Sequence, residues 1–240
     1  MIVVLPMAGA GSRFSNEGIN IPKPLIEVGS KPIVWWALQS IKSIQYSKLV
    51  IVAQKKHQDE FDVIDILGRL GYLSVEYVFI DGVTDGQLST VLMASEYIDD
   101  DEDLLIISSD TFVQSNIGTD IKENRKKCAG LISVSNAPGD QWSFARVDKH
   151  ENVVEVAEKR RISNHASTGM YYFSHGRTFS SAAEDIIKNQ RKIKGEYYIM
   201  PLYQYLIKMG EIVNLSKAIA MWDLGTPKSV AAFKDHGPLI

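Results

Sequence analysis

The amino-terminal stretch MIVVLPMAGAGSRF places a short apolar run directly before a loop that contains two glycines. Residues 2–5 are apolar without alternation, which predicts a strand buried on both faces, as in a parallel sheet. Gly9 and Gly11 predict a tight backbone turn that a ligand can approach closely. Arg13 and Lys23 follow this turn. Because bare backbone amides beside two cations are typical of phosphate sites, the stretch predicts a phosphate-binding loop.

Alternating helices and strands continue along the chain. Hydrophobic periodicity predicts helices over 32–44, 58–70 and 87–98, and strands over 48–53, 75–80 and 104–107. The second half predicts strands, partly antiparallel, over 130–135, 143–147, 153–158, 165–173 and 212–215, and helices over 178–189, 199–209 and from Pro227. Strand–helix–strand units imply right-handed crossovers. The predicted fold class is α/β, with a mixed, mainly parallel central sheet flanked by helices.

Composition limits the function classes open to the chain. Its 240 residues are 45% hydrophobic, which is enough for a buried core, and the net charge of −3 gives no general attraction to nucleic acid or to anionic membranes. The one cysteine, Cys128, allows no internal disulfide, and no apolar run reaches the roughly 18 residues of a membrane span. With no secretion signal at Met1, we expect a cytoplasmic protein. Homo-oligomer formation stays open.

The glycine loop departs from two common phosphate-binding motifs. A G-x-G-x-x-G fingerprint needs glycine where the chain has Phe14, and no G-x-x-x-x-G-K-[ST] loop is present. What remains is G-x-G-x-R followed by the segment PKPL, residues 22–25. This pattern resembles the signature of the sugar-phosphate nucleotidylyltransferases and of the cytidylyltransferases that act on small phosphorylated molecules. The resemblance covers essentially the whole chain and implies the Rossmann-like fold of the nucleotide-diphospho-sugar transferases.

The resemblance implies one nucleotidyltransferase domain over 1–240, with a nucleotide-binding half at about 1–115 and an acceptor-binding half at about 116–240. In the second nucleotide loop, DGQLSTVLMA, Gln87 would read the base and Gly86 would let the base approach. The glycine loop would contact the nucleotide through Met7, Ala8, Gly9, Ala10, Gly11 and Ser12. The implied substrates are a nucleoside triphosphate and a phosphorylated small molecule.

The resemblance also assigns the charged groups. Arg13 and Lys23 would be the catalytic cations, and Asp110 of SSD and Asp223 of WDLGTP would hold Mg²⁺. For the acceptor, it points to Lys159 of EVAEKRR as the phosphate contact and Glu196 of GEYYI as the hydroxyl contact, with Gly169 and Trp222 lining the pocket.

Several of these residues have a structural alternative. Asp110 could cap a helix that starts near Ser115, and Glu196 could cap the helix that follows it. Lys159 belongs to a basic run, and such runs are usually solvated. Trp222 could belong to the hydrophobic core.

The chemistry explains why these groups belong together. The second pKa of a phosphate monoester lies near ~6, so the attacking oxygen is already anionic at neutral pH and needs no general base. Positioning and cancellation of negative charge therefore carry the reaction. Mg²⁺ takes one or two carboxylates and completes its shell with phosphate oxygens and water, which suits a pair of aspartates.

Three functions stay open at this point. A nucleotidyltransferase acting on a sugar 1-phosphate comes first. The loop FSNEGINI lacks the proline and threonine usual in enzymes of hexose phosphates, which favours a CTP-dependent enzyme acting on a non-sugar phosphate for surface-polysaccharide decoration. A non-catalytic nucleotide sensor is the alternative of another class. A glycosyltransferase would need a D-x-D pair, and Asp110 is followed by Thr111 and Phe112.

Overall fold

A computed structural model describes residues 1–238. The strands are β1 (Ile2–Pro6), β2 (Glu27–Val28), β3 (Lys31–Pro32), β4 (Lys48–Gln54), β5 (Glu76–Ile80), β6 (Leu104–Ile107), β7 (Thr111–Ser115), β8 (Gly130–Ser135), β9 (Ser143–Val147), β10 (Val153–Glu158), β11 (Ala166–Phe173) and β12 (Val213–Asp223). The helices are α1 (Ser12–Ser15), α2 (Ile33–Gln39), α3 (Lys55–Phe61), α4 (Val63–Arg69), α5 (Gln87–Leu92), α6 (Ser95–Ile98), α7 (Ile117–Asn124), α8 (Gly176–Lys188), α9 (Met200–Lys208) and α10 (Pro227–His236). A 3₁₀ turn spans Lys23–Leu25.

One large sheet organises these elements, with strands in the order β5-β4-β1-β6-β11-β8-β12-β7. Strands β5, β4, β1, β6, β8 and β12 run in one direction, and β11 and β7 run in the other. The β9–β10 hairpin joins the sheet through β11. The mixed, mainly parallel sheet predicted from the sequence is therefore confirmed. Since β1, β6 and β12 share a direction, their carboxyl ends lie at one edge.

Helices cover both faces of the sheet. Strand β1 sends Ile2 and Val4 into one apolar layer, beneath α5, α6, α8 and α9, and sends Val3 and Leu5 into another, beneath α2, α4 and α7. Burial on both faces explains why the first strand is apolar without alternation. No helix within residues 1–238 has the length and apolar character needed to cross a bilayer.

The structure differs from the sequence prediction at several places, and the helix predicted over 32–44 ends early, at Gln39. The helix predicted over 58–70 is two helices, because Asp62 adopts φ 51° and accepts a hydrogen bond from the Asp65 backbone N–H at 3.2 Å. The helix predicted over 87–98 is also divided, into α5 and α6. Strand β12 continues from the predicted 212–215 to Asp223, because it leaves β8 and pairs with β7, a strand that periodicity did not predict.

Candidate active site

The glycine loop begins where β1 ends. The Met7 backbone N–H donates to the Val52 carbonyl at 2.8 Å, so this amide is used within the protein. The Gln54 side-chain amide, at the end of β4, donates to the Ala8 carbonyl at 2.9 Å. The start of the loop is therefore held by the neighbouring strand before any ligand binds.

The two loop glycines have different reasons to be glycine. Gly11 has φ +64°, a conformation that residues with a side chain rarely adopt, and a Cβ there would lie 3.4 Å from the Cβ of Lys23. Gly9 is not in this left-handed region, and a Cβ there would meet nothing within 4 Å. The predicted tight turn thus falls at Gly11, whereas Gly9 borders open space that a ligand can fill.

A cavity of about 420 Å³ lies beside this loop. We call it the glycine-loop cavity. Its lining comes from four parts of the chain: residues 6–10 with Lys23 and Pro24, then Val83, Thr84, Gly86, Gln87 and Thr90, then residues 108–110 after β6, and finally Glu196 and Tyr198. Of the residues predicted to contact the nucleotide, Gly11 and Ser12 do not line this cavity.

The loop 85–88 is fastened to a second segment of the chain. The Tyr197 backbone N–H donates to the Asp85 carbonyl at 2.7 Å, and the Tyr197 carbonyl accepts from the Leu88 backbone N–H at 3.2 Å. Gly86 has φ +117°, and a Cβ there would lie 2.5 Å from the Tyr197 carbonyl oxygen. Close packing against Tyr197 is thus a reason for glycine at position 86 that the sequence did not reveal. The Gln87 side-chain amide donates to Ser108 Oγ at 3.2 Å.

Asp110 lies at the junction of β6 and β7. The Lys23 ammonium donates to Asp110 Oδ2 at 2.5 Å. Burial favours the neutral acid, but the charge and hydrogen bond of Lys23 and the charge of Arg13 outweigh it, so the pKa of Asp110 lies below its ordinary value. Asp110 does not cap a helix, because β7 follows it and α7 begins only at Ile117.

Asp223, the last residue of β12, lies beside Asp110 because β12 pairs with β7 and places Asp223 opposite Thr111. A Cβ on Gly225 would lie 2.9 Å from Asp223 Oδ1 and 3.0 Å from Asp110 Oδ2, so both carboxylates approach one point. Burial, followed by the charge of Asp110, raises the pKa of Asp223 above its ordinary value. A divalent cation would relieve this repulsion.

The pair fits magnesium. Within residues 1–238, no group of three or more His, Cys, Asp or Glu side chains could hold a metal by itself. Two converging carboxylates are the protein share of a Mg²⁺ site that phosphate oxygens complete.

A second cavity, of about 600 Å³, also has Asp110 in its lining. We call it the Lys159 cavity. Its charged lining groups are Arg13, Asp110, Glu158, Lys159, Glu196 and Asp223, and its aromatic ones are Trp142, Tyr171 and Tyr198. Ser108, Asp110, Glu196 and Tyr198 line both cavities. The structure therefore brings Arg13, Lys23, Asp110, Asp223, Lys159 and Glu196 to adjoining spaces at one edge of the sheet.

Lys159 is not a solvated surface lysine. Its ammonium lies 4.4 Å from the centroid of the Tyr198 ring and donates to the Tyr198 hydroxyl. That hydroxyl in turn donates to Glu196 Oε2. Glu196 caps no helix, because α9 begins at Met200 after Ile199. Burial raises the pKa of the neighbouring Glu158, whose Oε2 accepts a hydrogen bond from Ser143.

Gly169 interrupts the pairing of β11 with β8. The register shifts between Ser167 and Tyr171, and Gly169 has φ +84°. A Cβ at Gly169 would lie 2.8 Å from Ser108 Cβ, and the Ser108 backbone N–H donates to the Gly169 carbonyl at 2.9 Å. Glycine here lets β11 approach the residue that borders both cavities.

Trp222 lies elsewhere. Its ring stacks on Phe112 with centroids 5.1 Å apart and contacts Phe233 edge-on at 6.3 Å. Trp222 lines neither cavity, so the structure does not place it at the wall predicted from the sequence. Alternation along β12 is the reason, since neighbouring residues of a strand point to opposite faces.

Sequence reasoning missed five residues: Gln54, Ser108, Glu158, Tyr198 and Gly225. Each lies in or beside a segment that the sequence singles out. Gln54 follows a predicted strand at its carboxyl end, Ser108 begins SSD, Glu158 belongs to EVAEKRR, Tyr198 belongs to GEYYI, and Gly225 belongs to WDLGTP. What the sequence lacked was a reason to choose them over their neighbours.

A glycine loop, two cations and two carboxylates at the carboxyl edge of an α/β sheet define a class of proteins that bind phosphorylated ligands. The family described as nucleotidyl transferase matches residues 2–236, and the chain belongs to that family.

Individual relatives are similar over different lengths. The bifunctional protein GlmU from Methanococcus aeolicus is 27% identical over 248 residues, covering 98% of this chain and 54% of that protein. A 2-C-methyl-D-erythritol 4-phosphate cytidylyltransferase from Bifidobacterium longum is 33% identical over 111 residues, covering 44% of this chain and 36% of that protein. The crystal structure of a nucleoside-diphosphate-sugar pyrophosphorylase from Vibrio cholerae RC9 has a TM-score of 0.83 at 25% identity, covering 98% of this chain and 100% of that one. The chain thus spans about half the length of its GlmU relatives.

Proposed function

We propose that the chain is a Mg²⁺-dependent nucleotidyltransferase, which joins a nucleoside triphosphate to a small phosphorylated acceptor and releases pyrophosphate. The observation that carries this proposal is the meeting of two cavities at Asp110, with Lys23, Arg13 and Asp223 around it. Transfer between two phosphates needs two adjoining binding spaces and positive charge between them. Membership of the nucleotidyl transferase family and similarity to a nucleoside-diphosphate-sugar pyrophosphorylase support the same reaction.

The glycine-loop cavity takes the nucleoside triphosphate in this proposal. Residues 7–10, Gly86 and Gln87 all line this cavity, and we assign the base to the part that Gly86 and Gln87 border. Lys23 lies where the phosphates would continue towards Asp110. Residues up to about 115 then form the nucleotide-binding half.

The Lys159 cavity takes the acceptor. Lys159 contacts its phosphate, and the carboxylates of Glu158 and Glu196 accept hydrogen bonds from its hydroxyls. A sugar 1-phosphate is the first candidate, because it offers one phosphate and several hydroxyls.

The reaction needs little proton transfer. An anionic oxygen of the acceptor's phosphate forms a bond to the α-phosphorus, the bond from the α-phosphorus to the bridging oxygen breaks, and pyrophosphate leaves with that electron pair. Lys23 and Arg13 lower the repulsion between the two anions. A Mg²⁺ ion held by Asp110 and Asp223 would add positive charge at the phosphate oxygens.

A CTP-dependent enzyme acting on a non-sugar phosphate is the second candidate. The observation that favours it is the 33% identity to a cytidylyltransferase over 111 residues. A nucleotide sensor without catalysis is the candidate of another class.

One experiment separates the three candidates. Pyrophosphate release would be measured with Mg²⁺, pairing CTP, UTP, GTP, ATP and dTTP with sugar 1-phosphates and with phosphorylated alcohols. We expect release with one base and one acceptor type. Release with CTP and a phosphorylated alcohol alone would select the second candidate. Triphosphate binding by calorimetry without release from any pair would contradict the proposed catalysis and leave the sensor.

A further inference from the structure

Tyr198 stands between two charged groups of the Lys159 cavity. Its hydroxyl accepts a hydrogen bond from the Lys159 ammonium and donates one to Glu196 Oε2. Its ring lies 4.4 Å from Lys159 Nζ, centroid to atom. Lys159 and Glu196 are thus linked by hydrogen bonds to one phenol oxygen, and they form no direct ion pair in the part of the chain that the structure describes.

The protonation state of Tyr198 fixes the direction of both hydrogen bonds. Burial, the hydrogen bond to Glu196 and the charge of Glu196 raise the pKa of Tyr198 well above its ordinary value, so the phenol keeps its proton. That single proton goes to Glu196, and an oxygen lone pair is left to accept from Lys159. An uncharged side chain that both donates and accepts can separate a cation from an anion.

The backbone on both sides of this contact is fixed. Lys159 has φ 51°, which is rare for a residue with a side chain, and its N–H donates to the Trp142 carbonyl at 2.9 Å. Beside Tyr198, the Tyr197 backbone is bonded to the loop 85–88. Lys159 Nζ and Glu196 Oε2 are both bonded to the same phenol oxygen, so a small side-chain movement would let them pair directly if that hydroxyl were absent.

We propose that Tyr198 is a positioning residue that keeps Lys159 and Glu196 from forming an ion pair. Only one of the three N–H donors of Lys159 is then used, and the others stay available to the acceptor's phosphate. Glu196 likewise keeps lone pairs for the acceptor's hydroxyls. This inference rests on the proposed function of the Lys159 cavity.

The test is a double-mutant cycle with inorganic phosphate as the probe and calorimetry as the readout. Tyr198→Phe keeps the ring and removes the hydroxyl, so Glu196 pairs with Lys159, and phosphate affinity is expected to fall about tenfold, as for a lost hydrogen bond to a charged group. Glu196→Gln removes the competing charge. It should restore most of the affinity in the Tyr198→Phe background and change the wild type much less.

Two results of this cycle would contradict the inference. One is equal phosphate affinity in the wild type and in Tyr198→Phe. The other is an equal gain in phosphate affinity when Glu196→Gln is introduced into the wild type and into Tyr198→Phe. Lys159→Ala should abolish most of the binding, and unchanged binding there would also overturn the inference. Tyr72→Phe is the matched control, because that hydroxyl accepts from Gln39 at 3.4 Å and lies outside both cavities.

Turnover is measured separately on the same variants. If phosphate binding by the four proteins follows the expected cycle but the wild type releases no pyrophosphate, only the proposed function is contradicted. If the wild type releases pyrophosphate but the phosphate affinities of the variants show no coupling between Tyr198 and Glu196, only this inference is contradicted.

Discussion

The glycine-loop cavity and the Lys159 cavity meet at Asp110 but present different chemical groups. Small residues, among them Gly9, Ala10 and Gly86, bring main chain to the surface of the first cavity, whereas the second is lined by long charged and aromatic side chains. A site made of main chain depends on the path of the backbone, and a site made of side chains depends on each residue. Substitution of a residue that lines both cavities should therefore lower activity most, and substitution of a residue that lines neither cavity should lower it least.

Asp110 is shared, so Asp110→Asn should have the largest effect. We expect kcat/KM to fall about 10³-fold, because the proposed Mg²⁺ site loses a ligand and Lys23 loses its partner. Pyrophosphate release over a Mg²⁺ titration measures this. Asp235→Asn, which changes an exposed carboxylate of α10, is the control. Full activity in Asp110→Asn would mean that the metal lies elsewhere.

Lys23 borders the glycine-loop cavity and contacts the shared carboxylate. Lys23→Ala should lower kcat about 10²-fold, because one positive charge beside the phosphates is lost. Thermal unfolding should show a retained fold, because Lys23 lies only half-buried in a short 3₁₀ turn. Lys42→Ala, at an exposed lysine, should leave kcat unchanged; comparable losses in both variants would contradict a specific role.

Gly225→Ala tests the convergence of the two carboxylates without changing any charge. The added Cβ would lie 2.9 Å from Asp223 Oδ1 and 3.0 Å from Asp110 Oδ2. The carboxylates must then separate, and we expect the Mg²⁺ concentration for half-maximal activity to rise about tenfold, as for a weakened metal ligand. Gly68→Ala is the control, since its Cβ would meet its nearest neighbour only at 3.8 Å. An unchanged Mg²⁺ requirement would show that the carboxylates do not share the ion.

Asp223 should give the metal site its pH dependence. Its pKa is raised, and Mg²⁺ binds the deprotonated carboxylate, so affinity is full above this pKa and falls as pH drops through it. The loss should begin at a higher pH than for an ordinary aspartate and approach about tenfold per pH unit. Mg²⁺ binding measured from pH 7 downwards checks this. In Asp223→Asn, we expect Mg²⁺ affinity to depend much less on pH over the same range. The same pH dependence in the wild type and in Asp223→Asn would assign the titration to another group.

Trp222 lies in neither cavity, so Trp222→Phe should leave the acceptor KM unchanged. The free energy of unfolding should fall by about 1 kcal/mol, because part of the stacking on Phe112 and the contact with Phe233 is lost. Denaturant unfolding and acceptor kinetics measure the two quantities. A raised acceptor KM with an unchanged free energy of unfolding would support the prediction that Trp222 lines the acceptor pocket.

Much of the fold could be predicted because its signals are local. The apolar run of β1, the glycine turn and the alternation of elements are each read within a short window. The division between α3 and α4 was missed because Asp62 adopts a left-handed conformation that periodicity does not show. Strand β7 was missed because it follows Asp110 directly and is stabilised by pairing with β12, which comes about a hundred residues later.

The resemblance to nucleotidyltransferases predicted which charged residues belong to the site. It placed Arg13, Lys23, Asp110 and Asp223 together, and the structure brings these side chains to adjoining cavities. It could not choose Tyr198 or Gly225, because their roles depend on atoms from distant segments. Assignment of each residue to nucleotide, acceptor or metal stays a prediction that the variants above test.

The sequence by itself determined the class of fold and the presence of a glycine loop after β1, because both follow from residue types that are close together in the chain. Tertiary structure decided which side chains meet. The register of β12 against β7 directs Asp223 towards Asp110 and Trp222 towards Phe112. A shift of one residue in that register would exchange their faces, because side chains alternate along a strand. Strand pairing over a long sequence separation therefore decides where the site forms.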